Sequence, residues 1–308
     1  MNTKIKSKGI DKEYLFSLIL IIPAVLIILL LVIYPLFSGI KFSFYKHNLM
    51  SSSRPFIGFG NYAKIFSDPV NYQIMWNTVF YAFTANLVSS LVGLGVALLL
   101  NKSGRFTGVL RGLGYLPWIT PGVVFAFVWN WIFSKNFGPI NAVLLNWGWI
   151  DSPLSLLGDV DLKILGLSAP VFSVLLVRVW ASFPFKMVMF LAALQNIPNE
   201  HYEAARIDGA NYWQQFRHIV VPAIMSVFLI VFSISMIWNL SHFEVNYLMT
   251  NGGPKNLTNV MTIFIYNKAF VHYNIGEASA ASVLVFIVAG LIGAVYMFLA
   301  KRESDYAD

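Results

Sequence analysis

The sequence contains no cysteine and only 11% charged residues, while 57% of its 308 residues are hydrophobic. The lack of cysteine excludes disulfide bonds, thiolate metal sites and cysteine nucleophiles. Soluble domains carry about a quarter charged residues. A water-soluble protein of this size would therefore have too few charges to cover its surface, and the composition favours a membrane protein.

Long stretches of the chain have no charged residue. The blocks without Asp, Glu, Lys or Arg are 15–40, 69–101, 112–134, 219–243 and 278–300, and the apolar stretch 166–195 is interrupted only by Arg178 and Lys186. A bilayer-spanning helix needs about 20 apolar residues. Since lipid offers the backbone no hydrogen-bond partners, blocks of this length predict helices. The predicted fold is an all-α membrane protein with six transmembrane helices.

The boundaries follow from these blocks and from the turn signals between them. We predict transmembrane helices at 15–40, 75–100, 112–134, 166–195, 219–247 and 277–300, outer loops at 41–74, 135–165 and 248–276, an inner loop at 196–218, and cytoplasmic tails at 1–14 and 301–308. Pro117, Pro121 and Gly122 lie inside the third helix and predict a kink there.

The net charge of +7 is distributed unevenly between the two sides of the predicted membrane. The tails, the inner loop and the turn after the second helix hold 11 Lys and Arg in 56 residues, whereas the outer segments 41–74, 134–165 and 248–276 hold 8 in 95. Basic residues are retained in the cytoplasm. This asymmetry predicts that both termini are cytoplasmic, and it explains the basic excess without a nucleic-acid partner.

The sequence has none of the common signatures of catalysis or nucleotide binding. No Gly-x-x-x-x-Gly-Lys-Ser/Thr phosphate loop occurs, and the nearest similar stretch, Gly58-Phe59-Gly60-Asn61-Tyr62, lacks the Lys-Ser/Thr pair. The histidines have no metal-ligand spacing, and no nucleophile, base and metal set converges. We therefore expect no catalytic residues, no metal and no cofactor bound by this chain.

The inner loop has a regular pattern over 199–222. It predicts two short amphipathic helices with a bend at Gly209, because glycine suits a left-handed helix end. Tyr202, Ile207, Trp213 and other apolar residues lie on these helices. Such a loop is either a connector lying on the membrane surface or a docking surface for another protein.

A polar face runs along the fifth predicted helix. Ser235, Trp238, Asn239 and His242 are separated by three, one and three residues, which places them on one side of the helix. Polar groups in a membrane helix usually face a cavity or another helix. The face either forms hydrogen bonds between helices or contacts a sugar, since tryptophan faces cover sugar C–H groups and amide or hydroxyl groups bind sugar hydroxyls.

Two cations interrupt the fourth predicted helix. Arg178 near mid-helix requires a partner or water. It either pairs with Glu244 across the pore or meets an anionic substrate such as a uronic acid, a sialic acid or a phosphate ester. Lys186 either extends to the membrane surface or lines a cavity.

Several motifs together resemble one known family. Glu203-Ala204-Ala205, Gly209, Ile219 and Val221-Pro222 are similar in spacing to the EAA loop of binding-protein-dependent importer permeases, with Val221 in place of the usual leucine. The flanking motifs resemble the maltose and glycerol-phosphate type: Trp76-Asn77-Thr78, Phe183-Pro184-Phe185, Ala193-Leu194-Gln195-Asn196-Ile197-Pro198 and Thr250-Asn251-Gly252-Gly253-Pro254. The resemblance covers about 71–302.

This resemblance implies a type I ABC importer transmembrane domain in a bacterial cytoplasmic membrane. It implies a permease subunit that moves a sugar or oligosaccharide delivered by an extracytoplasmic solute-binding protein. The implied partners are a homologous second permease and two cytoplasmic ATPase subunits, which bind ATP and Mg and drive alternating access. The family's coupling residues correspond here to Glu203, Ala204, Ala205, Asp208 and Gly209.

The resemblance also implies positions for substrate contact. They are Trp118 and Gly122 on the third helix, Ala181, Ser182 and Phe185 on the fourth, and Ser235, Trp238, Asn239 and His242 on the fifth, with Arg178 as a further candidate. Gly122 and Ala181 depart from the family's residue types, which implies a differently shaped sugar. The second permease is an alternative location for the site.

One other class of function fits a polytopic membrane protein. In a secondary transporter driven by an ion gradient, Arg178, His242 and Glu244 would relay protons. Such a protein would transport alone in liposomes, whereas an importer permease would require its ATPase and a second permease.

Overall fold

The computed structural model describes residues 12–101 and 104–307, so most of the predicted N-terminal tail, 1–14, lies outside the described residues. The helices are α1 Lys12–Ile28, α2 Tyr34–Ser43, α3 Gly60–Ser67, α4 Pro69–Leu100, α5 Thr107–Ile119, α6 Gly122–Ile132, α7 Pro139–Asn146, α8 Ala169–Gln195, α9 Asn199–Ile207, α10 Tyr212–Gln215, α11 Val221–Leu240, α12 Glu244–Thr250, α13 Met261–Tyr266 and α14 Ile275–Ala307. π-Helical turns occupy Leu29–Ile33, Phe216–Val220 and Asn267–Val271, and β1 Lys163–Ile164 pairs antiparallel with β2 Leu167–Ser168.

The helices long and apolar enough to cross a bilayer agree with the predicted fold class. Five spans are Ile19–Ser43, Pro69–Leu100, Ala169–Gln195, Tyr212–Leu240 and Ile275–Phe298. The pair α5 and α6 is the sixth when it is taken as one span, but its two halves are bent by 95°. The prediction of an all-α membrane protein with six spans is confirmed.

The bend between α5 and α6 is sharper than the kink expected from the sequence. Thr120 and Pro121 both have extended backbones, with ψ of 127° and 136°. The ring of Pro121 disfavours a helical conformation at Thr120 and removes one backbone donor. Pro117, by contrast, lies inside α5 without ending it. The predicted helix 112–134 is therefore two helices that meet at a corner.

The fifth predicted helix, 219–247, is also divided. Its membrane-spanning part ends at Leu240, and the short helix α12 begins at Glu244. The second helix starts earlier than predicted, at Pro69, because the side chain of Asp68 accepts a hydrogen bond from the amide of Val70 at 2.9 Å and caps the helix. At the other end of the chain, α14 continues through most of the predicted tail 301–308.

Helices α4 and α8 form the centre of the structure. They approach closely at Gly93, where an added Cβ would lie 2.9 Å from Cβ of Lys186 and 3.0 Å from the carbonyl oxygen of Phe183. Towards the outer side, Val174 and Val177 of α8 pack in one buried cluster, and towards the inner side Met187 and Phe190 pack in another. This helix pair is the scaffold on which α5, α11 and α12 pack.

The first span has almost no support from the rest of its own chain. None of the residues in its most apolar window is buried, and Leu31 is 71% exposed. Among the described elements of this span, α2 at its C-terminal end packs against α14. A bare apolar helix of this length is stable in lipid or against another membrane chain.

Candidate functional site

A cavity of about 290 Å³ opens where the two divided spans meet. Helices α5, α6, α8, α11 and α12 all reach it. It is lined by Pro117, Trp118, Thr120, Gly122, Phe125, Ala181, Ser182, Phe185, Ser235, Trp238, Asn239, His242 and Glu244. The structure thus brings together every predicted contact residue except Arg178. Irregular backbone at membrane depth is tolerated where it lines a cavity, and both helix breaks do so here.

Three aromatic rings form one wall of the cavity. Trp118 of α5 stacks on Phe185 of α8 with ring centroids 5.1 Å apart and an interplanar angle of 22°. Trp238 of α11 lies 5.2 Å from Phe185 and 5.9 Å from Trp118. Trp118 is 38% exposed and Trp238 49%. The wall is therefore preformed from three helices and offers open ring faces.

Polar groups of α11 and the turn after it lie beside this wall. The side-chain amide of Asn239 donates to the carbonyl of Ser235 at 2.9 Å, and its oxygen accepts from Arg178 at 3.2 Å. Both contacts fix the orientation of the amide. Ser235 Oγ and His242 Nδ1 are buried and have no hydrogen-bond partner among the described residues. Buried polar atoms are usually paired, so these two retain hydrogen-bonding capacity next to the cavity.

Arg178 lies behind the cavity wall and is only 1% exposed. Its guanidinium donates to the carbonyl of Asn239 at 2.6 Å and lies 5.5 Å from the ring centre of Tyr81. The ion pair with Glu244 that the sequence suggested is not formed in the described part of the chain, and Arg178 does not line the cavity.

The partner of Arg178 explains why the fifth helix ends where it does. In a continuous helix the Asn239 carbonyl would accept from the amide of Phe243. Here it accepts from Arg178 and, at 3.4 Å, from the amide of His242. A cation favours the C-terminal end of a helix, where the last carbonyls are unpaired. Arg178 therefore stabilises the end of α11 within the membrane.

Lys186 neither extends to the membrane surface nor lines the cavity. It is fully buried and donates to the carbonyl and the side-chain oxygen of Asn86, each at 2.7 Å, and to Ser89. The amide of Asn86 in turn donates to the carbonyl of Phe232 at 2.9 Å. These bonds join α8, α4 and α11.

Glu244 lines the cavity, although the sequence suggested it only as a partner for Arg178 or as part of a proton relay. One of its carboxylate oxygens lies so close to Gly122 that a Cβ there would collide with it. A side chain at position 122 would therefore displace the carboxylate from this corner. No sequence signal linked the two residues, since their contact depends on the 95° bend.

The inner loop has the two-helix structure expected from its sequence. Helices α9 and α10 flank Gly209, whose φ of +79° is the left-handed conformation that favours glycine. Asn211 and Gln214 form a reciprocal capping box at the start of α10, which the sequence analysis missed although an Asn-x-x-Gln spacing is a known signal. Glu203, Ala204, Asp208 and Gly209 are exposed and Ala205 is half-buried, so the loop presents them away from the bundle.

The surface of this loop is strongly apolar. Ile207 is 87% exposed, Tyr212 84% and Trp213 68%. Tyr202 packs towards the inner cluster instead, where burial raises the pKa of its phenol above the usual value. Large apolar side chains exposed together mark an interaction surface.

The sequence was compared with known protein families. Residues 89–302 match the family described as binding-protein-dependent transport system inner membrane component. The chain belongs to this family. It is therefore a membrane-embedded component of a binding-protein-dependent transport system, and the ion-gradient-driven alternative has no support.

Individual relatives agree with this family over nearly the whole chain. The inner membrane ABC transporter permease protein YcjO of Escherichia coli (strain K12) is 33% identical over 297 residues, covering 93% of this chain and 94% of the relative. The trehalose/maltose transport system permease protein MalF of Thermococcus litoralis is 28% identical and covers 99% of this chain and 100% of the relative. The fold matches a bacterial ABC transporter involved in the import of the acidic polysaccharide alginate with a TM-score of 0.81 at 21% identity, over 95% of this chain and 97% of that one.

The two buried cations of α8 allow a test of the role of Arg178. We expect both Arg178→Met and Lys186→Met to lower the stability of the purified permease by about 1–3 kcal/mol, because each leaves buried carbonyl groups unpaired. Only Arg178→Met should raise amide hydrogen exchange at Ser241–Glu244, since only Arg178 bonds to the end of α11. Thermal unfolding and hydrogen exchange with mass spectrometry measure both effects. Equal exchange at Ser241–Glu244 in the parent and in Arg178→Met would contradict the role given to Arg178.

Proposed function

We propose that this chain is the permease subunit of an ATP-binding-cassette importer that translocates a sugar or oligosaccharide by alternating access. The observation that carries the proposal is the cavity with its aromatic wall, which lies at the meeting point of two divided spans in a member of this transport family. A relative named for trehalose and maltose transport supports the carbohydrate assignment.

The cavity suits a polyhydroxylated ring. The faces of Trp118, Phe185 and Trp238 cover the C–H side of a sugar, while Asn239 and Ser235 bind its hydroxyls and set its orientation. Ala181, Ser182 and Gly122 are small residues of the lining, and they leave room for a sugar ring. His242 adds a third hydrogen-bonding side chain just after the end of α11.

The inner loop is the proposed coupling element. Its exposed apolar side chains favour docking to a cytoplasmic ATPase subunit over a surface that stays exposed to water. Glu203 and Asp208 are the acidic groups in this surface, Ala204 and Ala205 allow close approach, and Gly209 provides the bend. ATP and Mg bind to two such ATPase subunits, and this chain carries out no bond chemistry itself. A homologous second permease completes the pore, and an extracytoplasmic solute-binding protein delivers the sugar.

The inner loop and both termini are proposed to lie in the cytoplasm. The concentration of basic residues on that side supports this orientation. The loop also needs access to the ATPase subunits, which are cytoplasmic in the proposed assembly.

Trp238→Ala tests the sugar site. Removing a buried aromatic contact worth about 1.5–3 kcal/mol should weaken sugar binding roughly 10- to 150-fold and reduce uptake accordingly. Asn239→Ala should change sugar preference, because an unpaired buried polar group costs about 1–3 kcal/mol. ATP-dependent uptake at matched protein levels measures both. Trp131→Ala is the control, since Trp131 is 56% exposed on α6 and does not line the cavity.

If Trp238→Ala, Asn239→Ala and His242→Ala all transport like the parent, the sugar site lies in the second permease. In that case the importer assignment stands and the residue assignment fails.

Glu203→Ala tests coupling. We expect the variant to remain in the membrane but to lose the ATPase subunits during purification or to lose uptake, because Glu203 is an acidic group of the docking surface. The matched control is Glu200→Ala, which removes the same charge from the same helix α9 outside the motif. Normal uptake together with normal recovery of the complex in Glu203→Ala would contradict the coupling role.

Arg206→Cys tests orientation, since the chain has no other cysteine. Arg206 is exposed on α9. An impermeant thiol reagent should label this cysteine only after the membrane has been opened. Labelling in intact cells would reverse the proposed topology.

A further inference from the structure

The described lining of the cavity carries one charge, and it is negative. Among the described residues that line it, Glu244 is the only one with a formal charge. Its side chain is exposed, and no ion pair or hydrogen bond joins it to another described residue. Arg178 lies behind the wall, is 1% exposed and donates its hydrogen bond to Asn239. A molecule in the cavity therefore meets a carboxylate and no accessible cation.

The carboxylate lies where two helix ends meet at the cavity wall. Glu244 is the first residue of α12, and α12 packs on α6. Its oxygens lie against the backbone of Gly122 at the first position of α6, in the space that a side chain would otherwise occupy. This contact places the charge of Glu244 at the junction of α6 and α12, on the cavity wall.

The aromatic wall adds to the same preference. The face of an aromatic ring carries the negative part of its quadrupole, which attracts cations and repels anions. Trp118, Phe185 and Trp238 line the cavity, and Trp118 and Trp238 are partly exposed. The carboxylate and the rings therefore both disfavour an anionic ligand.

We propose that Glu244 makes this cavity selective against anions, so that the transported carbohydrate is uncharged and sugar acids and sugar phosphates are rejected. The statement that the ligand is a carbohydrate rests on the proposed function, whereas the exclusion of anions rests on the cavity alone. A unit charge about 7 Å away, at an effective dielectric constant of about 40, lowers the local concentration of a monovalent anion roughly sevenfold.

Tryptophan quenching tests the exclusion of anions without a sugar. The assembled transporter in lipid nanodiscs is titrated with iodide and, in parallel, with neutral acrylamide. The difference between the parent and Trp238→Phe isolates the signal of Trp238 from that of the other tryptophans. In the Glu244→Gln background we expect the iodide quenching constant of Trp238 to rise roughly sevenfold and the acrylamide constant to stay unchanged.

Two further variants control this experiment. Asp151→Asn removes an exposed carboxylate that does not line the cavity and should leave both constants unchanged. Glu244→Asp keeps the charge and should keep iodide excluded, which separates the charge from the shape of the side chain. An iodide constant that is equal in the parent and in Glu244→Gln would overturn the proposal.

A sugar titration extends the test to carbohydrates. Protection of Trp238 from acrylamide is measured with maltose and with its analogue whose non-reducing glucose is replaced by glucuronic acid. The parent should bind maltose and reject the acid, and Glu244→Gln should bind the acid roughly sevenfold more tightly with maltose unchanged. If binding of the acid does not improve, the selectivity role is overturned. If neither sugar protects Trp238 in any variant, the carbohydrate assignment of this cavity fails, and the iodide result alone decides whether Glu244 excludes anions.

Discussion

The hydrogen bond from Arg178 to the carbonyl of Asn239 is the contact on which the arrangement of the cavity depends. A helix that ends inside a membrane leaves carbonyl groups without partners, and water is not available to replace them. The guanidinium supplies a charged donor at 2.6 Å and favours the negative end of the helix. Because α11 ends there, the chain turns at Ser241 and starts α12, which carries Glu244 to the cavity.

The other divided span solves the same problem differently. Between α5 and α6 the missing donor belongs to Pro121, so one backbone group needs no partner, and Thr120 bonds its hydroxyl to the carbonyl of Leu116 at 2.9 Å. The corner lies on the cavity, where irregular backbone is tolerated. Gly122 follows at once and leaves room for the carboxylate of Glu244. Gly122 at the first break thus contacts Glu244 at the second, and both residues line the cavity.

The sequence predicted the parts of this structure that depend on composition and local spacing. Long uncharged blocks predicted the spans, and the bend at Gly209 followed from a glycine between two amphipathic stretches. The residues around the cavity were predicted by counting from motifs, and Trp118, Phe185 and Trp238 do lie together. Whether they bind a sugar is a separate question that the motifs leave to experiment.

What the sequence did not predict depends on contacts between distant segments. The sequence suggested Glu244 as a partner for Arg178 because of its opposite charge. The actual acceptor is the carbonyl of Asn239. Since every residue has a carbonyl, no sequence pattern marks this one. The division of the fifth helix at Ser241 was missed for the same reason, because the uncharged block continues through the break. The contact of Glu244 with Gly122 required the corner between α5 and α6 to be known first.

The two cations of α8 also join it to neighbouring helices of the pore. Arg178 binds α8 to the end of α11, and Lys186, about 12 Å along the helix, binds it to α4 through Asn86, which bonds to Phe232 of α11. Helices α4, α8 and α11 are thereby joined by side-chain hydrogen bonds at two levels. The inner loop connects α8 to α11, so a force on it reaches these helices from both sides. The helices α6 and α12 join them through the two breaks. In the proposed coupling, motion that starts at the inner loop reaches Gly122 and Glu244 at the cavity through these two breaks.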